Sequence, residues 1–231
     1  MITETKNTNN FIEELHSKVD QYDLLKHPFY QSWNKGELSI DVLKIYAKEY
    51  YSHVAAFPRY ISAIHTLCDN INDRQILLDN LIDEEQGDEN HPKLWKDFAI
   101  GLGCKDEDCK NHPQLESSKR LVDDYFDITR KNFASGLGAL YAYERQTPSV
   151  AKTKIDGLKK FYNITDDKSL KFFSVHMEAD EWHTEECALI LSKLKNEEQK
   201  DAIDGAVKGA KLLWGFLDEM QELSLSTVSS V

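Results

Sequence analysis

Apolar residues recur at three- and four-residue steps through most of this chain, and glycine and proline, ten and five, are sparse. The pattern predicts an all-α domain. After a disordered start over 1–10, a first helix opens in FIEELHSKVD, and HPFYQSWNKGELS reads as a short helix stopped near Gly36. Ser39 is the expected N-cap of IDVLKIYAKEYYSHVAAF, which Pro58 should bend or interrupt before RYISAIHTLC continues it. Further helices are expected over 72–88, 92–102, 116–132, 135–147, 149–162, 167–195 and 197–222, with a polar connection GCKDEDCKNHP ahead of the third of these. The tail 223–231 lacks periodicity and is expected to be disordered. Long helices with short links favour antiparallel neighbours in one bundle over 11–222, a form that can hold ligands between facing helices.

Charge and cysteine usage narrow the function. With 28 Lys+Arg against 40 Asp+Glu, a net charge of −12 disfavours nucleic acid and anionic membrane surfaces as partners. Cys68, Cys104, Cys109 and Cys187 are scattered, and the one close pair, C-x4-C, has no matching second pair, so reduced thiols are expected and not a structural zinc site. A polar N-terminus and the lack of any apolar run of membrane-spanning length predict a cytoplasmic protein.

Three stretches carry candidate chemistry. In HMEADEWH, His176, Asp180 and His183 share one side of a helix, at about 100° per residue. DEEQGDENH sets Glu84 and His91 seven residues apart, about 20° apart if both sit on one helix. In ALYAYERQ, Glu144 follows a small, apolar tract built for burial, where a carboxylate needs a partner. Three carboxylates and three imidazoles suit a dinuclear iron or manganese site: hard oxygen ligands, borderline nitrogen ligands and room for dioxygen. Against this stand plainer readings: a solvated stripe at 176–183, acids at almost every offset around Glu84, and a simple ion pair of Glu144 with Arg145. The aromatics Tyr46, Tyr50, Tyr51, Phe57 and Tyr60 read as packing at helical spacing, and His53 and His65 as structural histidines.

In combination, HPFYQSWNKGEL, EYYSHVAAFPRYISAIHTLCD, LLDNLIDEEQGDENHPKLW, GALYAYERQTP and HMEADEWHTEE resemble the family of the chlamydial protein associating with death domains. That family groups with the haem-oxygenase-like dimetal oxidases, as a relative of the pyrroloquinoline-quinone synthesis protein C and of TenA. The similarity runs from about Phe11 to Met220. It implies a seven-helix haem-oxygenase-like bundle, a homodimer, and two metal ions (two irons, two manganese, or one of each) on Glu84, His91, Glu144, His176, Asp180 and His183. Dioxygen and an external reductant would be cosubstrates.

The resemblance further implies synthesis of p-aminobenzoate for folate, with the protein's own Tyr30 as ring donor and Lys154 as amino donor. Lys152, two residues earlier, leaves the lysine's register open. Tyr143 matches a family tyrosine that could relay an electron or proton, or could simply pack. Competing expectations are a conventional dimetal oxidase acting on a diffusible molecule, with Tyr30 a pocket wall, and an interaction protein that binds death domains. The SLSTVSS tail departs from the cysteine-rich end of the family's namesake and counts against tail-dependent binding.

Overall fold

A computed structural model describes residues 2–228, with the side chains of 2–9, 178–181 and 227–228 outside the description. The chain is all-α, and no strand occurs among the described residues. In order, the helices are α1 (Ile2–Val19), α2 (Pro28–Lys35), α3 (Ile40–Thr66), α4 (Ile71–Glu85), α5 (His91–Gly101), α6 (Asp108–Asn111), α7 (Glu116–Lys131), α8 (Phe133–Glu144), α9 (Thr147–Phe161), α10 (Asp167–Leu191) and α11 (Asn196–Val228). These eleven helices among the described residues exceed the seven that the resemblance implies, and the shortest of them, α6, is a single turn of four residues.

Local signals place the ends. Gly36 adopts φ 70° and closes α2 in the left-handed conformation that glycine takes without strain. Ser39 caps α3 by accepting from the Val42 amide at 3.2 Å. Pro58 does not interrupt α3, which runs 27 residues through it. The proline is buried beside Phe57, Tyr60 and Ile61, and that burial offsets the hydrogen bond a proline cannot make. At the chain ends the expected disorder gives way to helix: α1 begins at Ile2 and α11 continues to Val228. At the C-terminal end Leu223 packs on the core and Ser224 is buried, which extends the ordered helix past 222.

The site is positioned by two close approaches. A Cβ on Gly138 of α8 would lie 2.0 Å from the Ala202 carbonyl oxygen of α11, and one on Gly205 of α11 would lie 2.0 Å from that of Ser135. Glycine at both positions lets the two backbones touch, which fixes the height of Glu144 at the end of α8. Helix α10 packs on α4, α5, α8 and α9, so residues from all five can converge. No helix among the described residues is long and apolar enough to cross a membrane.

Candidate metal centre and the aromatic pocket beside it

Glu84 lies in the last turn of α4 and His91 begins α5, so the two meet across a turn and not on one helix face. The turn, with Gly87 at φ 77°, folds back and brings His91 Nδ1 to 2.7 Å from Glu84 Oε2. His176, from α10, completes a cluster in which one ligand atom from each of the three residues lies within 4.8 Å of the others. All three are buried. Burial depresses the His91 pKa, but the Glu84 charge and hydrogen bond outweigh it and favour the imidazolium. Burial, then the neighbouring His91, holds His176 well below the usual range. The His176 Nδ1–H donates to the Phe172 carbonyl at 2.6 Å, which leaves Nε2 as the lone-pair nitrogen.

Glu144, the last residue of α8, is not part of that cluster and is 1 % exposed. Asn80 Nδ2 donates to its Oε1 at 2.6 Å and Cys187 Sγ to its Oε2 at 3.4 Å. Burial raises its carboxyl to about 8 despite those two donors, and the Glu84 and Glu186 charges push the same way. His183 is buried and its Nε2 lies 3.1 Å from Asp83 Oδ2. Burial lowers its pKa, against the pull of Asp83 and Glu84. Asp180 belongs to α10, and its side chain lies outside the described residues.

These residues fit a cation. Buried His183 Nδ1 and Asn80 Oδ1 have no hydrogen-bond partner, and orphaned buried polar atoms are costly. A buried carboxylate that burial pushes toward neutrality, beside lone-pair nitrogens, is a donor set that a divalent ion would satisfy. Beside Glu144 stand Asn80 and Cys187, and beside His183 stands Asp83, three polar neighbours that the sequence pattern does not single out. Asn80, Asp83 and Glu84 are i, i+3 and i+4 on α4, and His183 and Cys187 are i and i+4 on α10, spacings that share a helix face.

A few aromatic rings away lies a second buried constellation. Tyr30, on α2, places its hydroxyl 3.1 Å from that of Tyr46 on α3. Lys154, on α9 and 5 % exposed, donates from Nζ to the same Tyr46 hydroxyl at 2.7 Å. The ammonium nitrogen sits 5.2 Å from the centroids of both tyrosine rings and within 5.6 Å of those of Tyr50, Trp95 and Phe173. Burial lowers the Lys154 pKa from 10.5 to about 7, and no carboxylate opposes it. Burial also raises the Tyr30 phenol, with the Tyr46 hydrogen bond acting the other way. Lys152 instead points outward and pairs with Asp156 at 2.7 Å.

The two constellations are joined by rings. Tyr46 stacks on Tyr50 at 5.6 Å, and the Tyr50 hydroxyl donates to that of Tyr143 at 3.3 Å. Tyr143 precedes Glu144 and packs on Phe57 at 4.5 Å and His53 at 5.5 Å. On another side, Trp95 meets Phe172 at 4.8 Å, and Phe172 meets His176 at 4.1 Å.

Residues 44–214 match the family model described as "Iron-containing redox enzyme". The 4-aminobenzoate synthase of Chlamydia trachomatis is 41 % identical over 211 residues, covering 90 % of this chain and 91 % of that one. The 4-aminobenzoate synthase of Chlamydia muridarum is 39 % identical over 214 residues, covering 92 % and 91 %. Among solved structures, a domain with a haem-oxygenase-like fold from Shewanella denitrificans superposes with a TM-score of 0.80 at 17 % identity, covering 96 % of this chain and 95 % of that one.

Proposed function

The chain belongs to the family of iron-containing redox enzymes, and from that premise we propose that it makes 4-aminobenzoate for folate, with its own Tyr30 as ring donor and Lys154 as nitrogen donor. The two relatives of about 40 % identity, each named 4-aminobenzoate synthase, support the product. One observation carries the choice of residues. The Lys154 amine and the Tyr30 phenol share the Tyr46 hydroxyl as hydrogen-bond partner, at 2.7 and 3.1 Å.

The chemistry of the product explains why that matters. In 4-aminobenzoate the nitrogen stands across the ring from the carboxyl, as the hydroxyl of tyrosine stands across from Cβ. Conversion therefore exchanges the aryl C–O bond for C–N, with the hydroxyl oxygen leaving as water and the nitrogen parting from the lysine Cε, and it cleaves Cα–Cβ while Cβ is oxidised to a carboxyl with dioxygen as the oxidant. An amine held at the phenol end of the ring is where the new bond is needed. A pKa near 7 leaves a substantial fraction of Lys154 as the free amine at neutral pH, which ordinary lysine is not.

We assign Glu84, His91, Glu144, His176, Asp180 and His183 as holders of a metal pair, two irons, two manganese or one of each. When bound, the metals supply oxidising power from dioxygen with electrons from an external reductant. The protein's part is to orient Tyr30 against Lys154, exclude water from both, and connect them through Tyr46, Tyr50 and Tyr143 to the metal side. Tyr143 is assigned to relay an electron or a proton. We assign a homodimer on the family resemblance alone.

Product per chain tests the proposal. Metal-reconstituted protein given oxygen and reductant should stop at or below one 4-aminobenzoate per chain, and the peptide that contains position 30 should lose the mass of the ring. Sustained turnover with an intact peptide would replace self-consumption by an oxidase acting on a diffusible substrate.

A further inference from the structure

Glu144 is held by two side chains that have no role in the reaction as described. Asn80 occupies one of its oxygens and Cys187 the other, and both are buried, at 2 % and 1 % exposure, so no bulk water competes for the carboxylate. We propose that Asn80 and Cys187 are positioning residues that lock the Glu144 carboxylate in its ligating orientation and so set the affinity of the centre for a divalent cation. The proposal rests on the metal reading above.

The geometry favours a clamp over incidental packing. A glutamate carboxylate pivots freely about its last torsion, and one donor on each oxygen stops that rotation. Each oxygen keeps a further lone-pair site, so the clamp leaves Glu144 able to bind a cation. Asn80 lies one turn before Glu84 on α4, and Cys187 lies one turn after His183 on α10. The orientation of Glu144, which α8 supplies, is thereby tied to the two helices that carry donors from opposite sides. The amide must present its NH₂ to the carboxylate, since its carbonyl would be repelled there. That choice leaves Asn80 Oδ1 buried without a partner, able to accept from a water bound to the cation. A thiol is a weaker donor than an amide, so Cys187 should contribute less than Asn80.

Outer-sphere partners of metal ligands typically contribute 10–100-fold in affinity. Manganese(II), titrated into the metal-free full chain and followed by loss of the free-ion paramagnetic signal, reads that contribution without any turnover. Asn80→Leu should weaken binding by about 10–100-fold, and Cys187→Ala by a smaller factor. Cys187→Ser, whose hydroxyl also donates, should recover most of the alanine loss. A packing role alone would lower the melting temperature of the metal-free protein in Cys187→Ala and leave its affinity where the wild type has it. Equal affinities for wild type, Cys187→Ala and Cys187→Ser would overturn the role of Cys187, and a folded Asn80→Leu with wild-type affinity would overturn that of Asn80. Should Asn80→Leu not fold, Asn80→Ala, which is smaller and has no side-chain donor, replaces it and should weaken binding likewise. A wild-type chain that takes up no manganese would instead sink the metal reading itself, so the two failures are distinct.

Discussion

Among the described residues Lys154 bonds to tyrosine and to no carboxylate: its Nζ donates to the Tyr46 hydroxyl at 2.7 Å, and no ion pair forms with it. Five aromatic rings surround a cation that burial destabilises, and their π faces compensate part of what the lost water supplied. The arrangement suits an amine that must shed its proton.

The pH dependence follows from that lowered pKa. If the free amine of Lys154 is the nucleophile, the initial rate of product formation should rise with pH and level off above about 7. Stability should move with it. Between about 7 and 10.5 the unfolded chain holds a proton at this site that the folded chain does not, so stability rises with pH across that window. Lys154→Met, which removes the titration, should therefore be more stable than wild type by a constant margin below pH 7 and by a shrinking one above it. Thermal melts from pH 6 to 10 check this, and a margin independent of pH would show an ordinary lysine.

Replacement of the lysines separates the two candidates. Lys154→Arg keeps a charge that is effectively never lost, so it should abolish product. Lys152→Arg, on the exposed face and still able to pair with Asp156, should make wild-type amounts. Product quantified per chain for both decides it, and the opposite pattern would move the donor to Lys152.

Tyr30→Phe should fold, bind metal and make no 4-aminobenzoate. It loses one buried hydrogen bond to Tyr46, a cost of about 0.5–1.5 kcal/mol, and retains the ring contacts to Phe29 at 5.9 Å and Trp33 at 6.3 Å. Intact mass after reaction should be unchanged in the variant and reduced in the wild type. Full product yield from Tyr30→Phe would end the assignment.

What could be read from the sequence divides by range. The Ser39 cap, the Gly36 stop and the long amphipathic helices are encoded within one or two turns, and local pattern found them. Helical spacing pairs Glu84 with His91 for a reason that does not hold: Gln86 caps the end of α4, and the turn brings the two together. Tyr46 and Tyr50 read as packing, and their rings do stack, but the Tyr46 hydroxyl also accepts from Lys154 and the Tyr50 hydroxyl donates to Tyr143. Asn80, Asp83 and Cys187 went unseen because their partners lie on other helices, and no local periodicity encodes which helix will face which. Tyr30 and Lys154 came from family resemblance alone, since Lys152 and Lys154 differ only in the face of α9 they occupy.

The α8–α11 contact offers a test of how firmly the scaffold holds Glu144. A methyl on Gly138 would stand 2.0 Å from the Ala202 carbonyl oxygen, a backbone atom that cannot rotate away, so the helices must part. Overpacking of this kind costs about 1–3 kcal/mol or more, which exceeds the gain of roughly 0.5–1 kcal/mol that alanine brings to a helix. Gly138→Ala should therefore lower the urea midpoint, and because Glu144 follows on the same helix, it should also weaken manganese binding. Gly215→Ala is the matched control: it lies in α11 with nothing within 4 Å of the added methyl, so only the helix-propensity gain applies. That variant should be as stable as wild type or slightly more so, with metal affinity unchanged. If Gly138→Ala were as stable as Gly215→Ala and bound manganese as tightly as wild type, the contact would be too soft to position the carboxylate, and the placement of Glu144 would rest on Asn80 and Cys187 alone.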